Sequence, residues 1–271
     1  MTWEQISPVT LLERTGDAFV QHTMTDDTLA VAGPAGWAVL GPWRPTGHWG
    51  GGAMVAPGSP ISAESDALAV LAALAAERAA VPEWFSTAPG RELTLPTGFT
   101  ATGSGHWDFL WTAEPPATPV TAVTESAPAP PASARFEELD DRADAERIEA
   151  FGRAHNASFE GFPGRGLATL WLAMADDAGL LAVGGLHELA SGAPHLAGIV
   201  VRTDARGQGL GTAITAELTR RAIAATGVAT LGVYSTNATA IRVYERLGYR
   251  LAHHFHTRSL APAPVIVAEH G

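Results

Sequence analysis

The chain has 271 residues, of which 46% are hydrophobic, so it is long enough for one large or two small domains with cores of their own. It contains no cysteine, and all 17 basic residues are arginines, which excludes disulfides, thiolate nucleophiles, cysteine-based zinc sites and a lysine Schiff base. The formal net charge of −11 argues against nucleic acid and anionic membrane surfaces as partners.

Neither the N-terminal residues nor the most apolar stretch of the sequence indicates a secreted or membrane-spanning chain. The N-terminal residues Met1-Thr-Trp-Glu-Gln lack the basic start and the apolar core of a signal peptide. The most apolar stretch, residues 67–81, contains Glu77 and Arg78 and is too short to span a bilayer. We therefore expect a cytoplasmic protein.

The N-terminal part predicts alternating strands and helices. The run Gly50-Gly-Gly-Ala-Met-Val-Ala56 precedes a helix of about residues 62–80, and candidate strands follow at 81–86 and 106–111. Three glycines in a row could cradle a phosphate. We interpret them as structural, because no glycine or basic residue opens the helix that follows.

Residues 113–134 contain six prolines among alanine, threonine and serine, which predicts an extended linker. After it, the pattern predicts a strand at 134–140, a helix at 142–156 and two strands, 170–175 and 180–186. Asp176-Asp-Ala-Gly179 joins these two strands and indicates a hairpin. The apolar run 195–201 predicts a further buried strand.

The segment Arg206-Gly207-Gln208-Gly209-Leu210-Gly211-Thr212 lies between that strand and a predicted helix. Leu210, Ile214, Leu218 and Ala222 recur every four residues, as one face of a helix does. Glycines that open a helix leave free backbone N–H groups at its positive end, which is a site for a phosphate or pyrophosphate. The segment lacks the lysine of a Walker loop and the third glycine of a dinucleotide fingerprint.

A second motif follows at a fixed distance. Residues 228–234 predict a strand, and Thr236 or Asn237 can cap a short helix that Gly248 ends. Asn237 and Tyr244 are seven residues apart, so they share one face of that helix.

Together the two motifs resemble the GNAT superfamily of N-acetyltransferases. Arg206-x-x-Gly209-x-Gly211 matches its acyl-CoA pyrophosphate loop, and Asn237-x-x-Ala240-x-x-x-Tyr244-x-x-x-Gly248-Tyr249 matches its second signature. The resemblance implies an α+β fold for residues 135–260, with a mixed sheet splayed open between its fourth and fifth strands. Residues 261–271 are expected to form a loosely attached tail.

Residues 1–112 resemble a degenerate copy of the same fold, which predicts a tandem arrangement; an unrelated α+β domain is the alternative. In both halves a helix start is followed at similar distance by a Gly-aromatic pair, from 62 to 98 and from 209 to 248. Ala56-Pro-Gly-Ser-Pro60 replaces the pyrophosphate loop, so this copy is not expected to bind CoA.

The resemblance also implies roles for residues of the second half. Residues 206–212 would hold the pyrophosphate of acetyl-CoA. Backbone groups of Ile199, Val200 and Val201 would pair with the pantetheine arm, and one N–H could stabilise the oxyanion. Asn237 would steady the pantetheine or the helix start. Tyr244 is the candidate general acid for the departing thiolate, unless it is an aromatic that packs on the sheet.

The general base is missing from its usual place. Many family members carry a glutamate five residues before the motif asparagine, where this chain has Gly232. Removing a proton from a primary amine at neutral pH costs about 4 kcal/mol, so another group must assist. The candidates are Glu188 and His187, His195, and Glu160 or His155 in the region that covers the acceptor in this family.

These features predict direct acetyl transfer from acetyl-CoA to a small-molecule or peptide amine in a ternary complex, without a metal. Two alternatives stay open: transfer of another acyl group, and a catalytically idle protein that binds acyl-CoA as an effector. His254 and His256 share one face of the predicted last strand. Without a supporting carboxylate or cysteine pattern we interpret them as structural. The acceptor and the oligomeric state are not determined by the sequence.

Overall fold

A computed structural model describes residues 2–116 and 130–263. In chain order the elements are β1 (Glu4–Ile6), α1 (Pro8–Thr15), α2 (Ala18–Thr23), β2 (Leu29–Gly33), β3 (Gly36–Arg44), β4 (Gly47–Val55), α3 (Ala63–Glu77), β5 (Trp84–Thr87), β6 (Phe99–Thr112), β7 (Arg135–Leu139), α4 (Ala145–His155), β8 (Ala168–Asp176), β9 (Gly179–Glu188), β10 (Pro194–Val201), α5 (Leu210–Thr226), β11 (Ala229–Tyr234), α6 (Ala238–Arg246) and β12 (Arg250–Pro262). None of the helices in these residues is long and apolar enough to cross a membrane.

The chain divides into two compact units, Met1–Asp108 with Ala252–Gly271, and Phe109–Leu251. This division differs from the predicted boundaries at residues 112 and 260. The reason is strand pairing: β12 pairs with β5 from His256–Thr87 to Ser259–Trp84, within the first unit. The predicted tail begins inside β12, and residues 264–271, like 117–129 of the predicted linker, lie outside the described residues.

In the first unit β1 to β4 pair in order as an antiparallel meander, and β5 then pairs in parallel with β4 at residues 50–52. The glycines at this point make room for neighbours. A Cβ on Gly50 would lie 1.8 Å from the Trp84 ring, and one on Gly51 would lie 1.8 Å from the Val39 carbonyl oxygen. The structural interpretation of residues 50–52 is confirmed by this close packing.

The first turn of α3 carries its own anion. The Glu64 side chain is fully buried, and Arg91 donates to it through Nε (2.6 Å) and Nη2 (2.8 Å). Arg91 Nη2 also donates to the carbonyl oxygen of Pro60, just before the helix, at 2.8 Å. A carboxylate near a helix N-terminus is favoured by the helix dipole, and the guanidinium compensates its burial.

His254 and His256 also lie in the first unit, where each contacts another side chain. His254 Nδ1 lies 2.8 Å from Asp108 Oδ1, and the His256 ring stacks on His106 with 4.1 Å between centroids. Burial, and after it the charges of Arg258 and His106, lowers the pKa of His256. Within the described residues no group of three or more His, Cys, Asp or Glu side chains is arranged to hold a metal ion.

The second unit is a mixed sheet with a helix layer on each face. β7 to β10 pair in order as antiparallel strands, and β11 pairs in parallel with β10. On one face Leu172 and Met174 pack with α5, whereas their neighbours Trp171 and Ala173 belong to the core beneath α4. The order of strand, helix, three-strand meander, helix, strand, helix and strand confirms the predicted element order.

The buried pair in the first unit allows a stability test. Replacing Glu64 by Gln leaves the Arg91 guanidinium without its partner charge, and we expect the free energy of unfolding to fall by about 3 kcal/mol, as when a buried ion pair is broken. Urea denaturation followed by tryptophan fluorescence measures the change. Glu77→Gln, at an exposed position of the same helix, makes the same charge change and is expected to alter stability by less than about 0.5 kcal/mol. Equal losses in the two variants would contradict the role of the pair.

Candidate functional site

The glycine-rich loop opens α5 without any side-chain cap. Gly209 is the N-cap residue, with φ +75°, and no side chain accepts from the first turn of the helix. Gly207 is also left-handed, with φ +78°, a conformation that glycine adopts without strain. The first backbone N–H groups of α5 therefore face the surroundings unmasked, at the positive end of a 17-residue helix.

Arg206, at the start of the loop, is tied to the end of α4. Its Nη2 donates to the His155 carbonyl oxygen at 2.6 Å. The Thr203 backbone N–H donates to His155 Nδ1 at 3.4 Å, and the Thr203 hydroxyl lies 3.2 Å from the same nitrogen. A hydrogen bond from Arg202 lowers the pKa of Asp204 beside it. Hydrogen bonds to His155, at the end of α4, therefore hold the start of the loop in place.

β10 leaves β11 in the middle of the sheet. The described strands pair at His195–Thr230 and Leu196–Leu231, and no further toward Val201. Between Ala197 and Val200 the register of β10 with β9 shifts, and Gly198 at this bulge has φ +61°. A bulge bends its strand and increases the local twist. The predicted opening between the fourth and fifth strands is therefore present, and Ile199 to Val201 border it.

The second motif forms α6 as predicted. Asn237 caps the helix, because its side-chain oxygen accepts from the Ala240 N–H at 3.1 Å. Gly248, just beyond the helix, has φ +88°. Tyr244 is 8% exposed and packs edge-on against Tyr249, and burial raises the pKa of Tyr244 to about 12. Its hydroxyl is therefore protonated throughout the physiological pH range.

The two motifs and the end of β10 meet at one cavity of about 650 Å³. The predicted site residues that line it are Ile199, Val200, Val201, Arg206, Gly207, Gly209, Leu210, Gly211, Thr212, Asn237 and Tyr244. Of the residues predicted to bind the cofactor, Gln208 is the exception, since it is not among the described lining residues. Gln208 is exposed and does not line the cavity.

Sequence reasoning missed several lining residues. Thr239, Val243 and Arg246 belong to α6 and are spaced by four and three residues, so they share a side of that helix with one another. Periodicity counted from Tyr244 finds Asn237 and Ala240 instead, which is why this side was missed. His155 and Asn156 come from the end of α4, about 50 residues before the loop. No local pattern marks them, and His155 was a candidate base rather than a neighbour of the loop.

The candidate bases have different surroundings. His187 is 1% exposed and donates from Nε2 to the Gly161 carbonyl oxygen at 2.9 Å. His195 is 7% exposed, and its Nδ1 lies 2.9 Å from Thr230 Oγ1. Glu188 is exposed at the end of β9. Glu160 is exposed and accepts from the Tyr234 hydroxyl at 2.9 Å.

The segment 156–167 between α4 and β8, called here the acceptor loop, is fixed by Asp141. The two oxygens of this carboxylate accept from the Gly164 N–H at 3.1 Å and from the Gly166 N–H at 3.0 Å. One of them also accepts from Trp171 Nε1 at 2.9 Å. Three donors from two elements thus converge on one side chain just before α4.

The comparisons with known proteins agree with this geometry. The model of the acetyltransferase (GNAT) family matches residues 135–249. Residues 135–249 form a GNAT-family domain. The domain is thus that of an acyltransferase, which takes an acyl group from acyl-CoA to an acceptor. A comparison with curated protein sequences gives no match.

Solved structures show the same fold. A GNAT-family protein from Novosphingobium aromaticivorans is 18% identical, with a TM-score of 0.51 over 95% of this chain and 98% of its own. A Drosophila protein is 13% identical, with a TM-score of 0.56 over 96% of this chain and 98% of its own. At these identities the likeness concerns the fold alone, and the fold is the mixed α/β sheet of GNAT acetyltransferases.

Removing the Asp141 carboxylate tests how the acceptor loop is held. In Asp141→Ala the Gly164 and Gly166 N–H groups and the Trp171 indole lose their acceptor, so we expect faster hydrogen exchange across residues 161–166 and a loss of about 1–3 kcal/mol in stability. Hydrogen exchange read by mass spectrometry measures the first effect, with Asp177→Ala, at an exposed hairpin position, as the control. Unchanged exchange in the loop would show that Asp141 does not hold it.

Proposed function

We propose that the second unit transfers the acetyl group of acetyl-CoA directly to an amine, in a ternary complex and in the cytoplasm. The observation that carries this proposal is the single cavity at which the uncapped start of α5, the open edge of β10 and Tyr244 meet. An acyl-CoA needs an anion site, an apolar channel with hydrogen-bonding backbone, and a polar group near the thioester. The cavity offers these three in one place.

The start of α5 is the proposed pyrophosphate site. Its free N–H groups and helix dipole attract a negative group, and the left-handed Gly207 and Gly209 let that group approach the backbone. Leu210, Gly211 and Thr212 contribute the N–H groups of the first turn. Arg206 adds a positive charge beside them while the His155 carbonyl holds it in place.

The edge of β10 that borders the opening is the proposed site of the pantetheine arm. Beyond Leu196 this edge of β10 does not pair with the described part of β11, so the backbone groups of Ile199 to Val201 on that side can bond to an extended amide chain, as a strand edge does. A backbone N–H at the same edge can stabilise the oxyanion that forms when the thioester carbonyl is attacked.

In the proposed reaction the amine nitrogen forms a bond to the thioester carbon, and the carbonyl π electrons move to the oxygen. The nitrogen then loses a proton, the carbonyl re-forms, and the C–S bond breaks with its electron pair on sulfur. Tyr244 donates a hydrogen bond to that sulfur. Since a thiol has a pKa near 8.5 and Tyr244 one of about 12, we expect hydrogen bonding to the thiolate rather than complete proton transfer.

We further propose that the first unit is a degenerate GNAT copy that does not bind acyl-CoA. Three observations support it. The order β2, β3, β4, α3, β5, β6 parallels β8, β9, β10, α5, β11, β12, except that α6 lies between β11 and β12 and has no counterpart between β5 and β6. Left-handed glycines, Gly98 and Gly248, precede the last strand in each series. The first turn of α3 carries a buried carboxylate, Glu64, paired with Arg91, whereas the first turn of α5 carries no acidic residue.

Titration calorimetry with acetyl-CoA tests the donor site. We expect the wild-type chain to bind in the micromolar range, and the double variant Arg206→Ala, Gly209→Asp to lose binding by at least about 100-fold. The variant removes one positive charge and places a carboxylate and a strained backbone at the helix start. Arg14→Ala, on α1 of the first unit, is the matched charge control and is expected to bind normally. Absence of binding to the wild-type chain would overturn the proposed donor.

The variant Tyr244→Phe separates catalysis from acyl-CoA binding alone. We expect kcat for thiol release to fall by about 100-fold, since a positioned proton or hydrogen-bond donor contributes at least that much, while the Kd for acetyl-CoA stays within about twofold. The alternative is an idle protein that only binds acyl-CoA, and the absence of a carboxylate at the exposed Gly232 favours it. Under this alternative neither the wild type nor the variant releases thiol. A variant as active as the wild type would exclude Tyr244 from the reaction.

A further inference from the structure

Gly232, which stands where many family members have a glutamate, lies on the face of β11 that points away from α5. Gly232 and Tyr234 point to the same face of β11, about 7 Å apart, because alternate residues of a strand share a face. Both positions are exposed, whereas Leu231 and Val233 point into the core that contains α5. The side of β11 opposite the α5 core is therefore open next to Tyr234.

A carboxylate reaches this face from another element. Glu160 of the acceptor loop accepts a hydrogen bond from the Tyr234 hydroxyl at 2.9 Å, across 74 residues of sequence. Burial, followed by the hydrogen bond and charge of Glu160, raises the pKa of Tyr234 to about 12. The tyrosine thus remains a hydrogen-bond donor to Glu160, and it holds one carboxylate oxygen while the other can serve a ligand.

The backbone beside Glu160 is fixed over the opening of the sheet. A Cβ on Gly198, at the β10 bulge, would lie 2.9 Å from the Gly161 Cα, so the loop packs directly on the bulge. His187 Nε2, on β9, donates a hydrogen bond to the Gly161 carbonyl oxygen at 2.9 Å. A Cβ on Gly161 would itself lie 2.4 Å from the Phe159 ring. Glycine at both positions lets the loop come this close, and it places Glu160 at the point where β10 and β11 part.

Two exposed aromatic side chains accompany Glu160: Tyr234, which donates to its carboxylate, and Phe162, which follows two residues later in the acceptor loop. Tyr234 is 46% exposed and Phe162 is 47% exposed. Phe162 has φ +53°, a strained conformation for a residue other than glycine, and strain of this kind is concentrated at functional sites. A carboxylate beside exposed aromatic rings suits a primary ammonium group attached to a flat apolar body.

We infer that Glu160, positioned by Tyr234, binds the ammonium group of an arylalkyl primary amine and takes its proton during transfer. This inference rests on the proposed acyl transfer. Glu160 first pairs with the charged amine, which orients the nitrogen toward the thioester. The Glu160 carboxylate then takes one proton from the ammonium group, which frees the nitrogen lone pair to bond to the thioester carbonyl carbon. The nitrogen, now positively charged again, gives its second proton to solvent, and the C–S bond breaks with its electron pair on sulfur. Tyr234 is a positioning residue, and Gly232 leaves room for the acceptor.

The pH dependence of kcat/KM distinguishes this role from a structural one. The probe is 2-phenylethylamine with acetyl-CoA, and the readout is thiol release between pH 6 and 9. A wild-type site that accepts the ammonium form gives a nearly flat profile over this range, since the amine is protonated throughout. In Glu160→Gln the free amine must bind instead, so kcat/KM is expected to rise about tenfold per pH unit and to lie about 100-fold below wild type at pH 7.

Three further variants sharpen the test. Glu160→Asp is expected to restore the flat profile in part, and Tyr234→Phe to raise the KM of the amine by about tenfold or less without changing its pH dependence. Glu146→Gln, an exposed carboxylate on α4, is the matched charge control and is expected to behave as wild type. Aniline, which is uncharged at neutral pH, is expected to lose little rate in Glu160→Gln.

Parallel pH profiles for the wild type and Glu160→Gln would overturn the role of Glu160. Failure of the wild-type chain to release thiol with 2-phenylethylamine at any pH would overturn the arylalkyl acceptor. Calorimetry with acetyl-CoA then tells the two proposals apart: binding that the Arg206→Ala, Gly209→Asp variant abolishes retains the donor site and rejects the acceptor alone. A chain that neither binds acetyl-CoA nor releases thiol fails both.

Discussion

β10 and β11 share hydrogen bonds at His195 and Leu196 and then part, and both sides of the candidate site depend on that separation. The bulge at Gly198 bends β10 away while its bonds to β9 resume at Val200 and Val201. The sheet therefore remains intact on one side of β10 and opens on the other. The backbone N–H and C=O groups left unpaired at this edge of β10 can form hydrogen bonds with the amide groups of a ligand.

Gly198 also determines how closely the acceptor loop packs on the sheet. Because Gly198 has no side chain, Gly161 of the acceptor loop packs against it, and the loop brings Glu160 to the opening. The proposed donor and acceptor sides thus meet at one backbone position. A larger residue at Gly198 would push the loop outward and strain a φ of +61°, so both proposed substrate sites depend on this glycine for their geometry.

The motifs could be predicted from sequence because their geometry is local. A glycine-rich turn before a periodic helix predicts a bare helix start, and Asn237 with Tyr244 predicts a capped helix with both residues on one face. The contacts that brace these elements are not local. Arg206 meets His155 across 51 residues and Tyr234 meets Glu160 across 74, so no spacing in the sequence marks either pair. The pairing of β12 with β5, which joins residues about 170 apart in sequence, was missed for the same reason.

The starts of α3 and α5, which correspond to each other in the proposed tandem arrangement, have opposite surroundings. In the first unit the first turn of α3 contains the buried Glu64, and Arg91 neutralises this carboxylate while donating to the Pro60 carbonyl oxygen. In the second unit α5 begins with glycine and no cap, which leaves several N–H groups to an external partner. A buried carboxylate at a helix start disfavours a second negative group there, so Glu64 would oppose anion binding at the start of α3. The difference between the two helix starts therefore supports the proposed acyl-CoA site in the second unit.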